Sequence, residues 1–315
     1  MITVSDLVME YPGHRVLDRL SFRLPQGSVT ALVGVNGVGK TTLLRALAAL
    51  SPPLSGEVII NGRNIRDNPR QCHRDIGYLS DFFGLYDGMS VRRCLTLTAL
   101  FHGLFPPYDD AMIERLAARV HLTEHLEKPA GALSRGLRQR LGVAQAIMHR
   151  PRVMLFDEPA SGLDPLARSQ LAELIRSLQA EGMTLVISSH ILSELEDYST
   201  HMLNLRGPGE VILEEMNALE AGEALRYVVV QAQPDGRLAE VLTADEQATE
   251  ITMQAGERVL ELTLSGGDAA VAALNRRLVE QGFEICRLFE KKPDFQAAFL
   301  AQCRTNPTPG REMSS

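Results

Sequence analysis

Hydrophobic and polar positions divide the chain into segments of different periodicity. Over residues 1–62, short apolar runs alternate with turn signals such as Pro12-Gly13 and Asn61-Gly62, which predicts strands joined by tight turns. These predicted strands are Ile2–Val8, Leu20–Leu24, Val29–Val33 and 56–62. From about residue 89 to residue 150 the periodicity becomes helical. The pattern therefore predicts a region of strands followed by a region of helices.

Alternating strands and helices return after residue 150. Val153–Phe156 and Thr184–Ser188 are apolar runs typical of strands buried on both faces of a parallel sheet, and Pro165–Gln179 between them predicts a helix. A turn over residues 207–209 precedes a last strand at Val211–Leu213. The pattern predicts an α/β domain over residues 1–222, with an antiparallel β subdomain and a helical subdomain.

A second, smaller domain is predicted over residues 223–304. Its predicted elements are the strands Arg226–Gln231, Glu250–Met253, Val259–Ser265 and Phe283–Phe289 and the helices Asp268–Gln281 and Asp294–Cys303. This order, βββαβα, predicts a small α+β domain, and the segment contains no recognisable catalytic cluster. Residues 305–315 are rich in Pro, Thr and Ser, which predicts a disordered tail.

A glycine-rich segment follows the predicted strand Val29–Val33 and precedes a predicted helix. It consists of Gly34, Val35, Asn36, Gly37, Val38, Gly39, Lys40 and Thr41, followed by Thr42, and it fits the phosphate-binding loop pattern. In such a loop Lys40 neutralises the β- and γ-phosphates, and the Thr41 hydroxyl ligates Mg²⁺. The alternative is a plain glycine turn, but the context favours the phosphate loop. The segment predicts a P-loop NTPase core that binds nucleotide phosphates with Mg.

Two acidic residues, Asp157 and Glu158, come directly after the predicted strand Val153–Phe156. Ligands bind at the carboxyl ends of the strands in α/β sheets, so Asp157 is predicted to hold Mg²⁺ opposite Thr41. Glu158 is placed to polarise the water that attacks the γ-phosphate. Adjacent acids after a strand also serve as helix caps or loop residues. The phosphate loop upstream favours the catalytic interpretation.

Composition narrows the class of protein. The chain is 45% hydrophobic and 23% charged, which is ordinary for a globular protein. A net charge of -7 and the lack of a basic cluster argue against a nucleic-acid partner. The four cysteines lack metal-ligand spacing, so a reduced, cytoplasmic chain is expected. The apolar runs are too short to cross a bilayer, and the first residues do not resemble a signal peptide.

Further motifs carry a resemblance to a known family. Residues 133–140, Leu-Ser-Arg-Gly-Leu-Arg-Gln-Arg, resemble the signature motif of the ABC transporter ATPases. That family also carries a Ser-Gly-Leu-Asp segment after the acidic strand, here residues 161–164, and a histidine that ends a strand, here His190. The family's adenine-stacking aromatic lies ahead of the phosphate loop, where this chain has Tyr11. The motifs follow the family's order and cover residues 1 to about 222.

The resemblance implies that two cassettes meet head to tail with ATP between them. Ser134 and Gly136, at a helix N-terminus that suits an anion, would contact the ATP held by the partner copy. His190 would contact the γ-phosphate and Tyr11 would stack on adenine. The predicted catalytic residues are Lys40, Glu158 and His190. Simpler alternatives stay open, since Ser134 can be an ordinary N-cap, His190 structural and Tyr11 a packing residue.

Two positions depart from the family pattern. Where the signature usually has two glycines and a glutamine, this chain has Arg135, Gly136 and Leu137, and Arg135 would add positive charge near the partner's phosphates. Asp81 stands where the family usually has a glutamine that touches Mg²⁺ and water; it can ligate Mg²⁺ but cannot donate a hydrogen bond. Arg138 and Arg140 are interpreted as a solvated helix face. A working ATPase is expected.

The leading hypothesis is the ATPase subunit of a membrane transporter. Residues 84–91 and the form of the signature resemble the ATPase subunits of bacterial ABC-2 type exporters, and the helical region would dock on a separate membrane-spanning permease subunit. The expected protein is a homodimer, bound peripherally at the cytoplasmic face of the membrane. One alternative is a soluble ABC ATPase that acts on ribosomes or DNA. Another is a regulatory subunit without turnover, against which the intact Glu158 argues.

Overall fold

The structure is a computed structural model. It describes residues 2–81, 84–104, 110–189, 195, 198–216, 224–233, 235–243, 248–253 and 258–290. The chain divides into two compact units, with the boundary between Glu215 and Met216. The described core clusters of the two units share no residue. The domain limits at 222 and 304 remain predictions, and the predicted tail over residues 305–315 lies outside the described part.

The first unit begins with an antiparallel sheet. Its strands are β1 (Ile2–Tyr11), β2 (His14–Leu24), β4 (Ser55–Ile60) and β5 (Arg63–Asn64), in the order β2-β1-β4-β5. At the turn between β4 and β5, Asn61 and Gly62 both have positive φ, 50° and 77°, as a tight hairpin turn requires. The predicted turn is therefore confirmed. β2 begins earlier than the predicted strand at Leu20, because Leu17 is buried on the same strand ahead of it.

A second sheet, mostly parallel, forms the centre of the first unit. Its strands are β3 (Val29–Val33), β6 (Ile76–Leu79), β7 (Val153–Asp157), β8 (Thr184–Ser188), β9 (His201–Gly207) and β10 (Glu210–Glu215), in the order β10-β9-β3-β8-β7-β6. β10 pairs antiparallel with β9, and the other pairs are parallel. Every residue of β3, β7 and β8 is buried, which explains their continuous apolar sequences.

Helix α1 (Lys40–Leu47) packs into a core shared by the two sheets. Its Leu43 and Leu47 are fully buried in a cluster that includes Ile2 of β1 and Leu155 of β7. The helix begins directly after the glycine-rich segment that follows β3. This packing fixes the start of α1 at the carboxyl edge of the central sheet, as in other P-loop NTPase folds, and the predicted fold class is confirmed.

Helices predominate between residues 69 and 180 of the described chain. They are α2 (Pro69–Asp75), α3 (Val91–Phe101), α4 (Asp110–Arg119), α5 (Arg135–Ile147) and α6 (Pro165–Ala180). Ser90, Ser134 and Asp164 cap α3, α5 and α6 by accepting backbone N–H groups of the first turn. α3, α4 and α5 are the helical region that the periodicity predicts. No helix within the described ranges has the length and apolar character needed to span a bilayer.

The second unit combines an antiparallel sheet with helices. Its elements are β11 (Ala224–Gln231), α7 (Arg237–Thr243), β12 (Ala248–Met253), β13 (Val259–Ser265), α8 (Gly267–Glu280) and β14 (Ile285–Glu290). The strands pair antiparallel in the order β12-β13-β11-β14. Order and pairing are those of the ferredoxin-like βαββαβ motif. The unit is a small α+β domain, as predicted.

The predicted order βββαβα was wrong at one element, helix α7. Its Leu238 and Leu242 are fully buried, one helical turn apart. The helix has seven residues and follows the turn signal of Asp235-Gly236, so the sequence pattern was too short to separate it from a loop. The predicted helix Asp294–Cys303 lies outside the described residues.

Candidate functional site

The glycine-rich loop after β3 has a tightly fitted backbone. A Cβ on Gly34 would lie 2.5 Å from the carbonyl oxygen of Leu205 in β9. Gly39 has φ of 113°, and a Cβ there would lie 2.9 Å from a methyl group of Val16 in β2. Both positions therefore require glycine. Between them the loop is exposed at residues 35–37, so its outer surface is open to a ligand.

Lys40 is the first residue of α1 and folds back over the loop. Its Nζ donates a hydrogen bond of 2.8 Å to the carbonyl oxygen of Gly34, and the residue is 8% exposed. Burial lowers the pKa of Lys40, and the nearby carboxylates of Glu158 and Asp157 oppose that shift. The ammonium group thus lies against the loop and near enough to both acids to interact with their charge.

The carboxylate of Asp157 joins three elements of the site. Its Oδ1 accepts hydrogen bonds from Thr41 Oγ1 at 3.2 Å and from Ser188 Oγ at 2.8 Å. Tyr78 in β6 lies near this carboxylate, and burial, reinforced by the Asp157 charge, raises the pKa of Tyr78 to about 12. Asp157 is 3% exposed. The structure therefore brings Thr41 and Asp157 together, as the sequence predicts.

Glu158 is held in a strained backbone conformation. Its φ is 52°, which costs a residue other than glycine about 1–3 kcal/mol. Its N–H donates to the Ser188 side chain at 2.9 Å and to the Ser188 carbonyl oxygen at 3.2 Å. These two bonds offset part of the strain and fix where the chain turns away from β7. Contacts with β8 therefore fix the backbone that carries the half-buried carboxylate of Glu158. This carboxylate lies close enough to Lys40 to influence the pKa of the lysine.

The signature segment lies at the start of α5, and no described contact joins it to Lys40. Ser134 caps the helix by accepting the Leu137 N–H at 3.3 Å and is itself exposed. Gly136 lets α5 approach α6, since a Cβ on Gly136 would lie 3.1 Å from Cβ of Ala167. The guanidinium group of Arg135 lies against the backbone of Gly162. The roles of Ser134 and Gly136 at the ATP of a partner copy stay predictions.

The remaining predicted site residues have different surroundings. Tyr11 is 42% exposed and pairs with His14 at the end of the β1–β2 hairpin, whose second strand packs on Gly39. Asp81 is exposed just beyond β6, the strand beside β7. Thr42 is half-buried in the first turn of α1. His190 lies outside the described residues. The assignments of these four residues stay predictions.

Two contributors to the site, Ser188 and Tyr78, were not predicted from the sequence. Ser188 ends β8 directly opposite Asp157, and Tyr78 lies in the strand on the other side of β7. A polar residue at the end of an otherwise apolar parallel strand, as in Thr184–Ser188, was the available signal. Tyr78 had no such signal, because its role depends on the pairing of β6 with β7.

Arg138 and Arg140, interpreted from the sequence as a solvated helix face, are both partly exposed. Arg138 Nη1 donates to Asp87 Oδ1 at 2.7 Å and to the Ala130 carbonyl oxygen at 3.3 Å. Arg140 is half-buried, and burial lowers its pKa. The Arg138 side chain is therefore bound within the unit, and the Arg140 side chain is partly withdrawn from solvent.

The geometry defines a P-loop nucleotide-binding protein: a glycine loop, its lysine and threonine, and a carboxylate from a neighbouring strand meet at the carboxyl edge of a parallel sheet. Comparisons with known proteins specify the family. Residues 17–161 match the ABC transporter family. The lantibiotic transport ATP-binding protein SrtF of Streptococcus pyogenes is 34% identical over 68% of this chain and 90% of its own length.

A longer relative extends the match into the second unit. The bacitracin transport ATP-binding protein BcrA of Enterococcus faecalis is 28% identical over 302 residues, 95% of each chain. Among solved structures, an ATP-binding subunit of an ABC transporter superposes with a TM-score of 0.63 at 28% identity, over 70% of this chain and 92% of that one. The chain belongs to the ABC transporter family, as one of its ATP-binding ATPase subunits.

Proposed function

We propose that this subunit hydrolyses Mg-ATP to power transport, in the export direction, by a separate membrane-spanning partner. The observation that carries the proposal is the meeting of Lys40, Thr41 and Asp157 at the carboxyl edge of β3 and β7. The names of the two relatives concern transport of bacitracin and of a lantibiotic, which supports export.

The phosphates of ATP would occupy the loop over residues 34–42. Backbone N–H groups and the N-terminus of α1 attract them, and Lys40 neutralises their charge. Thr41 and Asp157 offer hydroxyl and carboxylate oxygens 3.2 Å apart, a ligand set that suits Mg²⁺, and Asp81 would add a further carboxylate. When bound at these residues, Mg²⁺ would supply positive charge that neutralises the phosphates.

Glu158 would act as the general base. It follows the metal-binding residue Asp157 by one position, and its backbone is fixed by Ser188. This placement would let the carboxylate accept a proton from the attacking water while Asp157 keeps its own position. His190 would contact the γ-phosphate and Tyr11 would stack on adenine, as the resemblance implies.

The complete site would need two copies of the chain. Ser134 and Gly136, remote from Lys40 in the described contacts, would close over the ATP of the partner copy in a head-to-tail homodimer. The exposed cap of α5 suits this role because the first N–H groups of a helix attract anions. Each copy would then supply the phosphate loop of one site and the signature segment of the other.

The helical region would dock on the membrane partner. Phe101 at the end of α3 is 75% exposed and Tyr86 ahead of α3 is 56% exposed, so this part of the unit presents apolar side chains. Docking would place the protein at the cytoplasmic face of the membrane. The alternative of an ABC ATPase acting on ribosomes or DNA is not favoured, because the relatives are transport proteins and the net charge is -7.

Replacement of Glu158 by glutamine tests the central claim. Glu158→Gln keeps the shape and loses the basicity, so it should bind ATP, hydrolyse it at least about a hundredfold more slowly and accumulate as an ATP-bound dimer in gel filtration. Glu173→Gln, at an exposed position of α6, is the control and should behave as the parent. An ATP-bound species that stays monomeric would refute the head-to-tail dimer.

Co-purification from detergent-solubilised membranes tests the transport part. Recovery of the chain with an integral membrane protein supports the proposal. Recovery with ribosomes or DNA would support the alternative instead.

A further inference from the structure

Arg138 lies one helical turn beyond the signature cap Ser134. The Arg138 N–H donates to the Ser134 carbonyl oxygen at 2.9 Å, so the two residues are joined through the first turn of α5. The Arg138 side chain leaves α5 and binds residues outside it. Its Nη1 donates to the carboxylate of Asp87 at 2.7 Å and to the carbonyl oxygen of Ala130 at 3.3 Å. The first turn of α5 is thus fastened to two other segments.

Asp87 is itself held on both sides. Its carbonyl oxygen accepts the Gly131 N–H at 3.1 Å, while its side chain accepts the Arg138 guanidinium group. Gly131 has little space, since a Cβ there would lie 3.0 Å from Cβ of Asp87. Close packing and hydrogen bonds therefore keep Asp87 in register with the segment that leads into the signature.

The connection continues along a pair of adjoining segments. Residues 87–92 run antiparallel to residues 126–131, with a bridge between Ser90 and Pro129. The Ala130 N–H donates to Met89 at 2.8 Å, the Val91 N–H to Lys128 at 3.0 Å and the Arg92 N–H to Leu126 at 2.8 Å. One segment opens α3 and follows the exposed Tyr86, and the other ends just before Ser134. A movement of residues 87–92 would therefore displace residues 126–131 as well.

We propose that Arg138 is a positioning residue for ATP hydrolysis, which sets Ser134 relative to residues 87–92 through its bond to Asp87. This inference rests on the proposed role of Ser134 at the ATP of the partner copy. Arg138 acts through Ser134 and touches no nucleotide itself. A displacement of the surface beside Tyr86 would then change the placement of the signature through this charged contact.

A magnitude argument separates positioning from stability. The side chains of Arg138 and Asp87 are 31% and 66% exposed, and ion pairs this exposed contribute little to folding. Loss of the pair should therefore leave the unit folded. A misplacement of about 1 Å at a site of chemistry, by contrast, can slow turnover up to about a hundredfold.

The chain offers a matched control pair, Arg119 with Glu181. Their distance is 2.6 Å and their side chains are 30% and 56% exposed, close to the values for Arg138 and Asp87. This pair also joins the helical region to another element, since Arg119 ends α4 and Glu181 follows α6. It is not connected to the signature cap through any described hydrogen bond.

The experiment measures ATPase rate, ATP affinity and thermal unfolding of the full chain. Arg138→Gln should lower kcat about tenfold or more, with the Kd for ATP within about twofold of the parent and Tm within about 4 °C. Arg119→Gln should leave all three values near those of the parent. Arg138→Lys should restore part of kcat, because an ammonium group can still reach Asp87.

A double-mutant cycle identifies the partner. Asp87→Ala alone should reproduce the loss in kcat, and Asp87→Ala combined with Arg138→Gln should be no worse than either alone. Additive losses, or a kcat for Arg138→Gln equal to that of Arg119→Gln, would overturn the inference. Ser134→Ala separates it from the proposed function: if that variant turns over like the parent, the role of the signature itself fails.

Discussion

Two hydroxyl groups donate hydrogen bonds to the carboxylate of Asp157. Thr41 and Ser188 come from α1 and β8, so the acid is oriented from a neighbouring strand and from the helix of the phosphate loop, with Tyr78 of β6 close by. Hydrogen bonds to a charged group contribute about 1.5–3 kcal/mol each. Such an arrangement lets a buried carboxylate keep one orientation before any ligand arrives.

Removal of the Ser188 hydroxyl should therefore slow hydrolysis. Ser188→Ala loses the 2.8 Å bond to Asp157 and the bond from the Glu158 N–H, so both acids are less well placed. We expect kcat to fall about tenfold to a hundredfold and the Mg²⁺ concentration needed for half-maximal rate to rise. Steady-state ATPase assays across a Mg²⁺ titration measure both effects.

Ser177→Ala is a suitable control for this variant. Ser177 also donates one hydrogen bond of 2.8 Å, to the Leu174 carbonyl oxygen within α6, away from the site. It should leave both quantities unchanged. An unaltered Mg²⁺ requirement in Ser188→Ala would contradict the proposed role of Asp157.

Among the individual residues of the site, the sequence identified those that are marked by their immediate neighbours in the chain. Lys40 and Thr41 are adjacent to their glycines, and Asp157 and Glu158 end an apolar strand, so short patterns located them. Ser188 and Tyr78 could not be located in the same way. Their contacts depend on which strands lie beside β7, and no short pattern contains that information.

Helix α5 is fixed at both ends, which matters at the scale of elements. Near its C-terminus the helix approaches β6 so closely that a Cβ on Gly77 would lie 2.5 Å from the Ala146 carbonyl oxygen. Just beyond the helix, the His149 ring stacks on the ring of His102, which caps α3, with centroids 4.1 Å apart and planes 9° apart. The C-terminal end of the signature helix is therefore packed against β6 and against the end of α3.

The stacked histidines predict a dependence of stability on pH. Burial lowers the pKa of His149, against the hydrogen bond to Ile76 and the charge of Asp75, and burial together with the charge of His149 lowers the pKa of His102. The unfolded chain, with histidine pKa near 6.5, then binds more protons than the folded one. The contribution of the neutral histidine pair to the free energy of unfolding is therefore present above about pH 6.5 and is lost as the pH falls below that value.

Thermal unfolding between pH 7.5 and pH 5.5 measures this effect. The Tm of the parent should fall over this range, and the fall should be smaller in His102→Phe, which keeps an aromatic ring on His149 but removes one titrating group. His14→Phe, at an exposed position of β2, should keep the slope of the parent. Equal slopes in all three proteins would show that the stacked pair does not titrate in this range.

Elements with long periodic patterns were predicted well, and α7 shows where this fails. The buried strands and the helix α6 have enough residues for their period to be read from the sequence. α7 has seven residues, and its helical state comes from packing of Leu238 and Leu242 on the sheet of the second unit. Tertiary packing of that kind leaves too short a pattern to recognise.

The division into two units is the main feature at the scale of the whole molecule. Every predicted nucleotide contact lies before residue 191, and the core of the second unit, which includes Leu260, Leu264 and Leu274, is separate from that of the first. The second unit has no catalytic cluster in the sequence and is proposed to serve regulation or docking. The match with BcrA covers 95% of each chain and therefore includes the second unit.

A chain that ends at Gly222 should consequently stay soluble and bind Mg-ATP. We expect a cooperative thermal transition that moves upward with Mg-ATP, because ligands that bind the native state stabilise it. Calorimetry or a dye-based melt measures the transition. Aggregation, or loss of the shift, would mean that the second unit completes the first.

A chain that ends at Thr243 provides the contrast. It keeps β11 but removes β13 and β14, the strands on either side of it, and leaves both edges of an apolar strand unpaired. Such a fragment should aggregate where the Gly222 fragment does not.

The order of strands in the central sheet has a consequence for synthesis. The phosphate loop leaves the ribosome early, after β3, yet Gly34 packs against Leu205 and β3 pairs with β8 and β9, all from much later in the chain. At common translation speeds β8 and β9 are synthesised roughly ten to thirty seconds after the loop. For that interval a nascent chain carries the loop sequence without a surface that can hold ATP, and its apolar β3 needs protection from other chains.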